Sequence, residues 1–391
     1  MKGISKVDVT GKRILVRVDL NSTVIDEEVQ MTPKIKEHSK TLDELADRGA
    51  EVVAISHQGR PGGKDFLHLK QHAQLMEDFL NRNINFVKSV CDKKAIEEIN
   101  NLNRGEILLL DNVRMHEDEL KDVSPAEHGN SELVKKLSEV CDIYANDAFS
   151  VCHRNQASIT GFPQVVDSYV GPLLEEELEA LERLDHPREP VHFVLGGNKP
   201  EDAVNVIYKM LEKNEMDLAL LGGAVGEVFL QVSGLNLGSK GYDLGGLKQR
   251  IQYLIENYRD NLVLPKDVAY EEDSERKEIP VEKLPASRKI YDIGMETVED
   301  FKERLGEAET VVMNGPLGNI EYEVFRKPTE EILKAISDMD KFTLVGGGDT
   351  SKFIDDIGFD LEKDFSHVSL AGGAFISYLS GEKLPGIEAL K

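Results

Sequence analysis

The chain has 391 residues, 40% hydrophobic and 30% charged, with a formal net charge of −25. That length exceeds one ordinary core and predicts two domains, while the acidic balance argues against nucleic acid and anionic membrane as partners, since both reward a basic surface. No apolar run approaches the ~18–20 residues of a membrane span, residues 1–12 carry no signal-peptide pattern, and Cys91, Cys141 and Cys152 lack C-x-x-C spacing, which together predict a reduced, cytoplasmic protein.

The first strong element is Arg13–Asn21, an apolar run in which Arg17, Asp19 and Asn21 recur at every second position. Alternation puts these three side chains on one face near the strand's end. Helical spacing over Lys34–Gly49 follows (Ile35, Leu42, Leu45, Ala46). Then comes a buried strand, Glu51–His57, which ends in Ser56-His57-Gln58-Gly59-Arg60-Pro61. Leu67–Asn81 is predicted as a helix, Asn85–Val90 as a short strand and Glu106–Arg114 as a third strong strand. A helix over Ser131–Glu139 and a strand from Asp142 lead into Asn146-Asp147-Ala148-Phe149-Ser150-Val151-Cys152-His153-Arg154. Strands alternating with helices imply right-handed crossovers and a mainly parallel sheet. Cys152 beside His153 raises a catalytic thiol–imidazole pair, although sequence neighbours seldom point at each other usefully.

Leu173–Leu184 reads as one charged amphipathic helix ended by His186-Pro187, a stiff connector between halves. The second half repeats the strand–helix pattern with glycine at the strand ends. His192–Leu195 runs into Gly196-Gly197-Asn198-Lys199, and Asp217–Leu221 into Gly222-Gly223-Ala224. Asn261–Leu264, Lys289–Ile293 and Thr310–Met313 follow, the last ending in Asn314-Gly315-Pro316. Phe342–Val345 ends in Gly346-Gly347-Gly348-Asp349-Thr350, and His367–Leu370 meets Ala371-Gly372-Gly373-Ala374.

Ligands of open parallel sheets sit outside the carboxyl ends of the strands. Repeated Gly-Gly turns there let backbone N–H groups approach an anion, and the next helix N-terminus adds partial positive charge. Neither a Walker A sequence nor G-x-G-x-x-G is present, so the glycines predict a nucleotide site of another kind. Asp349 is placed to hold Mg²⁺ through phosphate oxygens, or to cap the helix beginning near Thr350. In the first half His57, Arg60, Arg114 and Arg154 each follow an apolar strand. Their convergence in so acidic a chain favours a small multi-anionic substrate. One lobe for a phosphorylated acid and one for a Mg-nucleotide is the organisation of a bilobal small-molecule kinase.

At these residues the chain resembles phosphoglycerate kinase, nearly end to end. Asp19 and Asn21 fall in that family's substrate-binding places. Ser56–Pro61, Asn112–Arg114 and Asn146–Arg154 match its basic patch for 3-phosphoglycerate. Gly196–Lys199, Asn314–Gly318 and Gly346–Thr350 match its nucleotide lobe, and Glu321 falls where the family holds the ribose hydroxyls. Ser150 and the His-Gln-Gly-Arg form are most similar to archaeal members. The resemblance implies two Rossmann-like lobes, each a mainly parallel sheet flanked by helices. Residues 1–170 would bind substrate, with 376–391 packing back on them; 171–186 would connect; 187–375 would bind the Mg-nucleotide. It implies reversible Mg²⁺-dependent phosphoryl transfer between ATP and the carboxylate of 3-phosphoglycerate, in a monomer or small homo-oligomer that closes about a hinge. The implied catalytic set is Lys34, Lys199, Gly372 and Gly373. The implied substrate set is Asp19, Asn21, Lys34, His57, Arg60, Arg114 and Arg154. The implied nucleotide set is Gly196, Gly197, Lys199, Gly222, Asn314, Glu321, Gly347, Gly348, Asp349 and Thr350, with Asp349 at the metal. Four positions depart from the family pattern: Lys34 replaces an arginine, Ala203 a second lysine, Ala371 a glycine, and Ser22-Thr23-Val24 an apolar-proline pair. The competing readings are a same-fold kinase for another phosphorylated acid and a non-catalytic metabolite or nucleotide sensor.

Overall fold

A computed structural model describes residues 1–238, 241–286 and 289–391. The chain forms two compact units, Met1–Leu181 with Lys383–Lys391, and Glu182–Glu382. The first is built on six parallel strands: β1 (Arg13–Arg17), β2 (Glu51–Ile55), β3 (Ile84–Phe86), β4 (Ile107–Leu109), β5 (Ile143–Asn146) and β6 (Ser168–Val170). Their order across the sheet is β3-β4-β2-β1-β5-β6. Connections after β1 run to one side and those after β5 to the other. The switch point therefore lies between β1 and β5, where an open parallel sheet offers its ligand crevice.

Burial explains why these runs are strands. Ile14, Val16, Val52, Ala54, Ile107 and Leu109 join one apolar cluster with Ile35, Leu42 and Leu45 of the helix Pro33–Asp47. The strands are shorter than their apolar runs. The first ends at Arg17 rather than Asn21, and Glu106–Arg114 contributes only three paired residues before turning into the 3₁₀ turn Val113–Met115. Beyond the ladders a few further backbone hydrogen bonds, such as Val18 N–H to the Ile55 carbonyl and Val113 N–H to the Ser56 carbonyl, both at 3.0 Å, hold the chain together with side-chain contacts. The face shared by Arg17, Asp19 and Asn21 is buried at its first two positions and partly exposed at the third. Arg17 is 0% and Asp19 2% exposed. β6 and a π-helical turn, Ala157–Gly161, had no periodic signal to announce them. The last residues dock here, Gly386 N–H donating to the Cys152 carbonyl at 2.9 Å.

The second unit has a six-stranded parallel sheet from β7 (Val191–Leu195), β8 (Leu218–Leu221), β9 (Leu262–Val263), β13 (Thr310–Asn314), β14 (Phe342–Gly346) and β15 (His367–Ser369), ordered β9-β8-β7-β13-β14-β15. Its switch point lies between β7 and β13. Inserted before β13 is an antiparallel sheet of β10 (Asp267–Glu272), β11 (Glu275–Pro280) and β12 (Ile290–Ile293), ordered β11-β10-β12. The segment Lys289–Ile293 thus belongs to this small sheet and not to the parallel one. The β10–β11 hairpin turns on Asp273 and Ser274, both at positive φ (54° and 62°), the backbone a two-residue hairpin loop requires. The helix Pro172–Glu182 falls almost wholly in the first unit and the helix Gly373–Leu379 in the second.

The docked tail gives a direct check. A Cβ on Gly386 would lie 2.8 Å from Ile159 Cγ2 and 2.9 Å from Cys152 Cα. Gly386→Val should therefore destabilise the protein by about 1–3 kcal/mol, read as a lower denaturant midpoint; an unchanged midpoint would show that the tail carries no packing.

Candidate active site

In the first unit the chain leaving β1 places Asp19 against the end of β2. Lys34, in the first turn of the helix Pro33–Asp47, donates to Asp19 Oδ2 at 2.6 Å. The Ser150 hydroxyl donates to the same oxygen. Nδ1 of His57 lies 3.6 Å from Oδ1. Burial alone would push the Asp19 pKa up, but the charge of Lys34 and the hydrogen bonds from Lys34 and Ser150 hold it well below the usual carboxylate range. His57 is displaced the same way for a different reason. Burial drives its pKa well below 6.5 and outweighs Asp19, and Arg17, Arg114 and Lys34 add to the effect. The imidazole is neutral at physiological pH.

The turn carrying His57 and Arg60 is itself locked. Gly59 sits at φ +66°, and a Cβ there would come within 2.4 Å of the Asp65 carbonyl oxygen. Its N–H donates to Asn21 Oδ1 at 2.8 Å, and its carbonyl accepts from Arg114 Nη1 at 2.5 Å. Asn21 thus shapes the turn, and Asn112 braces it by donating to the Gln58 carbonyl at 2.7 Å. Gln58 in turn bonds His72 Nε2 at 3.0 Å, and burial pulls the His72 pKa down to about 4.

The arginines differ from the other cations. Arg114 is 4% exposed, and its Nη2 is buried without a hydrogen-bond partner. Burial, then the nearby charges of Arg154 and Arg17, lower its pKa to about 10. Burial and then Arg60 depress Arg154 likewise. Among the described residues no carboxylate pairs with Arg60, Arg114 or Arg154. Cations crowded enough to depress one another, in a chain of net charge −25, are held ready for an anion from outside. The structure joins five of the seven predicted side chains, Asp19, Asn21, Lys34, His57 and Arg114, through hydrogen bonds, an ion pair and the shared Gly59 turn, while Arg154 and Arg60 act on the cluster through charge. Cys152 has no nucleophilic role: it is fully buried, its thiol donates to the Ala148 carbonyl, and burial raises its pKa to about 12.

In the second unit the strand-end loops meet backbone to backbone at the switch point. A Cβ on Gly196 would lie 2.2 Å from the Pro316 carbonyl oxygen, and one on Gly315 2.8 Å from Gly196. Glycine is required because there is no room for anything else. The loops line a cavity of about 150 Å³ with Lys199, Asp349, Thr350, Gly372 and Gly373. Asn314 Oδ1 and Thr350 Oγ1 are buried there without a partner, near each other across Gly347. Gly222 and Glu321 are not in the wall. Gly222 instead packs against Leu317, where a Cβ would come within 2.5 Å. Asp202 and Ile376 line the cavity although no motif singled them out, and Asn198, inside the Gly196–Lys199 motif, lines it beside the residues expected there. Ala203 lines it too, whereas Ala371 is outside the wall with its N–H donating to Ser369 Oγ at 3.2 Å.

Asp349 is exposed on the first turn of the helix Gly348–Asp356. Among the described residues it has no cationic partner, and no group of three acidic, histidine or cysteine side chains could cage a metal. A divalent cation here would take one protein carboxylate and complete its shell from phosphate and water, the arrangement Mg²⁺ favours. The donor set fits that ion.

The family model for phosphoglycerate kinase matches residues 4–382. The phosphoglycerate kinase of Haloarcula marismortui is 40% identical, covering 97% of each chain, and that of Methanopyrus kandleri 39% identical, covering 97% of this chain and 94% of the other. The crystal structure of phosphoglycerate kinase from Pyrococcus horikoshii OT3 superposes with a TM-score of 0.95 at 33% identity, covering 100% of this chain and 98% of the other. The structure of the enzyme from Coxiella burnetii gives 0.79 at 29% identity, covering 99% and 98%.

The Asp19 pair makes a pH prediction. Because folding lowers this carboxyl's pKa from 3.8, its stabilisation is full above that value and is lost as pH falls through the lower folded one. Lys34→Met leaves a buried carboxylate uncompensated and should cost about 3 kcal/mol at pH 7, the difference shrinking toward pH 3 in denaturant titrations. A deficit independent of pH would mean that packing, not charge, holds the pair.

Proposed function

This chain belongs to the phosphoglycerate kinase family, enzymes that transfer a phosphoryl group between ATP and the carboxylate of 3-phosphoglycerate, and on that premise we propose which of its residues carry the reaction. The first unit takes 3-phosphoglycerate and the second takes the nucleotide. The observation that carries the first assignment is the unpaired cluster of Arg60, Arg114 and Arg154 beside an ionised Asp19. Guanidinium forks suit the oxygens of a phosphate or carboxylate. Arg114, with one nitrogen already spent on Gly59 and another unpartnered, is oriented before the ligand arrives. Asp19 and Lys34 fix each other, and Lys34 supplies positive charge near the acyl oxygen.

No residue acts as a general base. The acceptor carboxylate is already ionised near neutral pH, so its oxygen attacks phosphorus without losing a proton, and a catalytic triad would have nothing to do. What remains is positioning and charge stabilisation of the transferring group. Backbone N–H groups of the glycine turns and the start of the helix Gly348–Asp356 face the phosphates, Lys199 adds charge, and Asn314 Oδ1 and Thr350 Oγ1 find their missing partners on the nucleotide or its water. When bound at Asp349, Mg²⁺ would neutralise phosphate charge. The reading places the enzyme in the cytoplasm, and among the described residues no helix is long and apolar enough to cross a membrane.

Steady-state kinetics separate the two units. Arg60→Ala should raise KM for 3-phosphoglycerate on the order of 10-fold or more, the value of a charge-assisted hydrogen bond, with KM for ATP little changed. Asp349→Ala should cut kcat on the order of 100-fold and weaken Mg-ATP, leaving KM for 3-phosphoglycerate near wild type. Arg60→Ala with unaltered KM for 3-phosphoglycerate would refute the first assignment, and wild-type kcat in Asp349→Ala the second.

A further inference from the structure

Behind the cationic cluster of the first unit runs a line of buried side chains, Glu119, Ser158, Arg17 and His57, with exposures of 0%, 0%, 0% and 4%. Arg17 is unusual because a fully buried guanidinium here has no carboxylate against it among the described residues. Its Nε donates to Ser158 Oγ at 3.0 Å, its Nη1 to the Val18 carbonyl, and its Nη2 lies 3.2 Å from His57 Nδ1. Ser158 is gripped from the far side. Its hydroxyl donates to Glu119 Oε1 at 2.7 Å and its N–H to Oε2 at 2.8 Å, while its carbonyl accepts from the Tyr144 hydroxyl at 2.8 Å. With its proton committed to Glu119, the Ser158 hydroxyl has only lone pairs left for Arg17.

The direction of every proton along the line follows. A guanidinium has donors and no acceptor, so the ring nitrogen facing Nη2 must present a lone pair. Nδ1 of His57 is therefore unprotonated, and the neutral ring carries its proton on Nε2. Asp19 does not compete for a proton on Nδ1, since 3.6 Å is beyond hydrogen-bond range. The groups facing the ring are Asp19, Arg17, Arg114 and Lys34, three cations against one anion, which keeps the ring neutral. Nε2 has no hydrogen-bond partner among the described residues.

We propose that Glu119, Ser158 and Arg17 form a positioning relay that holds His57 as its Nε2–H tautomer, so that the ring offers a donor to an oxyanion of the substrate. The opposite tautomer would turn a lone pair toward the same anion and replace attraction with repulsion. Glu119 supplies the counter-charge for Arg17 at one hydroxyl's remove, which keeps a carboxylate away from the anion site while still stabilising the buried cation. The π-helical turn Ala157–Gly161 sets Ser158 in place, in keeping with the use of such turns at functional sites. The proposal rests on reading this cluster as the 3-phosphoglycerate site.

The test is ¹⁵N NMR of the full chain labelled at histidine, with the His57 signals identified by their loss in His57→Gln. At pH 7 without ligand, the relay requires a protonated Nε2 and an unprotonated Nδ1 in a single tautomer. An Nδ1–H ring, or a tautomeric average, overturns it. Ser158→Ala and Glu119→Gln should release His57 into a mixture and raise KM for 3-phosphoglycerate on the order of 10-fold, leaving KM for ATP unchanged; Ser158→Thr, which keeps the hydroxyl, should restore both. A folded Ser158→Ala protein whose His57 keeps one tautomer also overturns the relay. If neither variant folds, the wild-type spectrum alone decides. Adding 3-phosphoglycerate to the wild type separates the two layers: a shifted Nε2 signal supports the site, whereas the expected tautomer with an unmoved Nε2 leaves the positioning intact and refutes the site.

Discussion

Asp19 must stay charged while almost completely removed from water, and much of the first unit is arranged to allow it. Desolvation favours the neutral acid, so the fold surrounds the carboxylate with Lys34, the Ser150 hydroxyl and the Asn21 N–H. Those partners come from the first turn of the helix Pro33–Asp47, the turn after β5 and the chain leaving β1. One charge thereby ties two strand ends and a helix start to the switch point. The same charge helps Arg114 and Arg154 remain cationic at close quarters, since each feels Asp19, together with Glu119, as a compensating anion. Removing Asp19 would not simply delete a ligand contact; it would leave the cluster of like charges with Glu119 alone to offset it.

The second unit meets the opposite problem with backbone. Its switch point is closed by loops that touch through Gly196, Gly315 and Pro316 at distances no side chain permits. Close contact leaves N–H groups and two unsatisfied side-chain oxygens, Asn314 Oδ1 and Thr350 Oγ1, around a small cavity whose charged lining is Lys199, Asp202 and Asp349. Phosphates bring their own charge and, with Mg²⁺, their own counter-charge, so a cradle of dipoles suits them. Cationic side chains in one unit and glycine backbone in the other are two answers to anion binding, matched to a small acid and to a metal-bound polyphosphate.

Much of this was legible in the sequence because apolar runs ending in chemistry-bearing residues are local signals. Val52–Ile55 followed by His57 and Arg60, or Val191–Leu195 followed by Gly196 and Gly197, needs no tertiary knowledge to read. The losses are equally physical. Arg17 alternates with Asp19 and Asn21 and so looks solvated; only the buried acceptors on Val18, Ser158 and His57, two of them remote in sequence, let it go inside. The strand Glu275–Pro280 is charged at four of its six positions and stays half-exposed at the sheet edge, so neither composition nor alternation announces it. Its hairpin turns on Asp-Ser rather than on glycine. Gly222 follows a strand, but that its neighbour is Leu317, from a distant loop, is a tertiary fact no local pattern carries.

If the two anion sites serve one reaction, the unaltered protein will convert Mg-ATP and 3-phosphoglycerate in steady-state turnover, read through consumption of the acyl phosphate product. The expected turnover is on the order of 10–1,000 per second, with other phosphorylated acids turned over far more slowly. A folded, ATP-binding protein that leaves 3-phosphoglycerate untouched while phosphorylating another acid at such rates would contradict it.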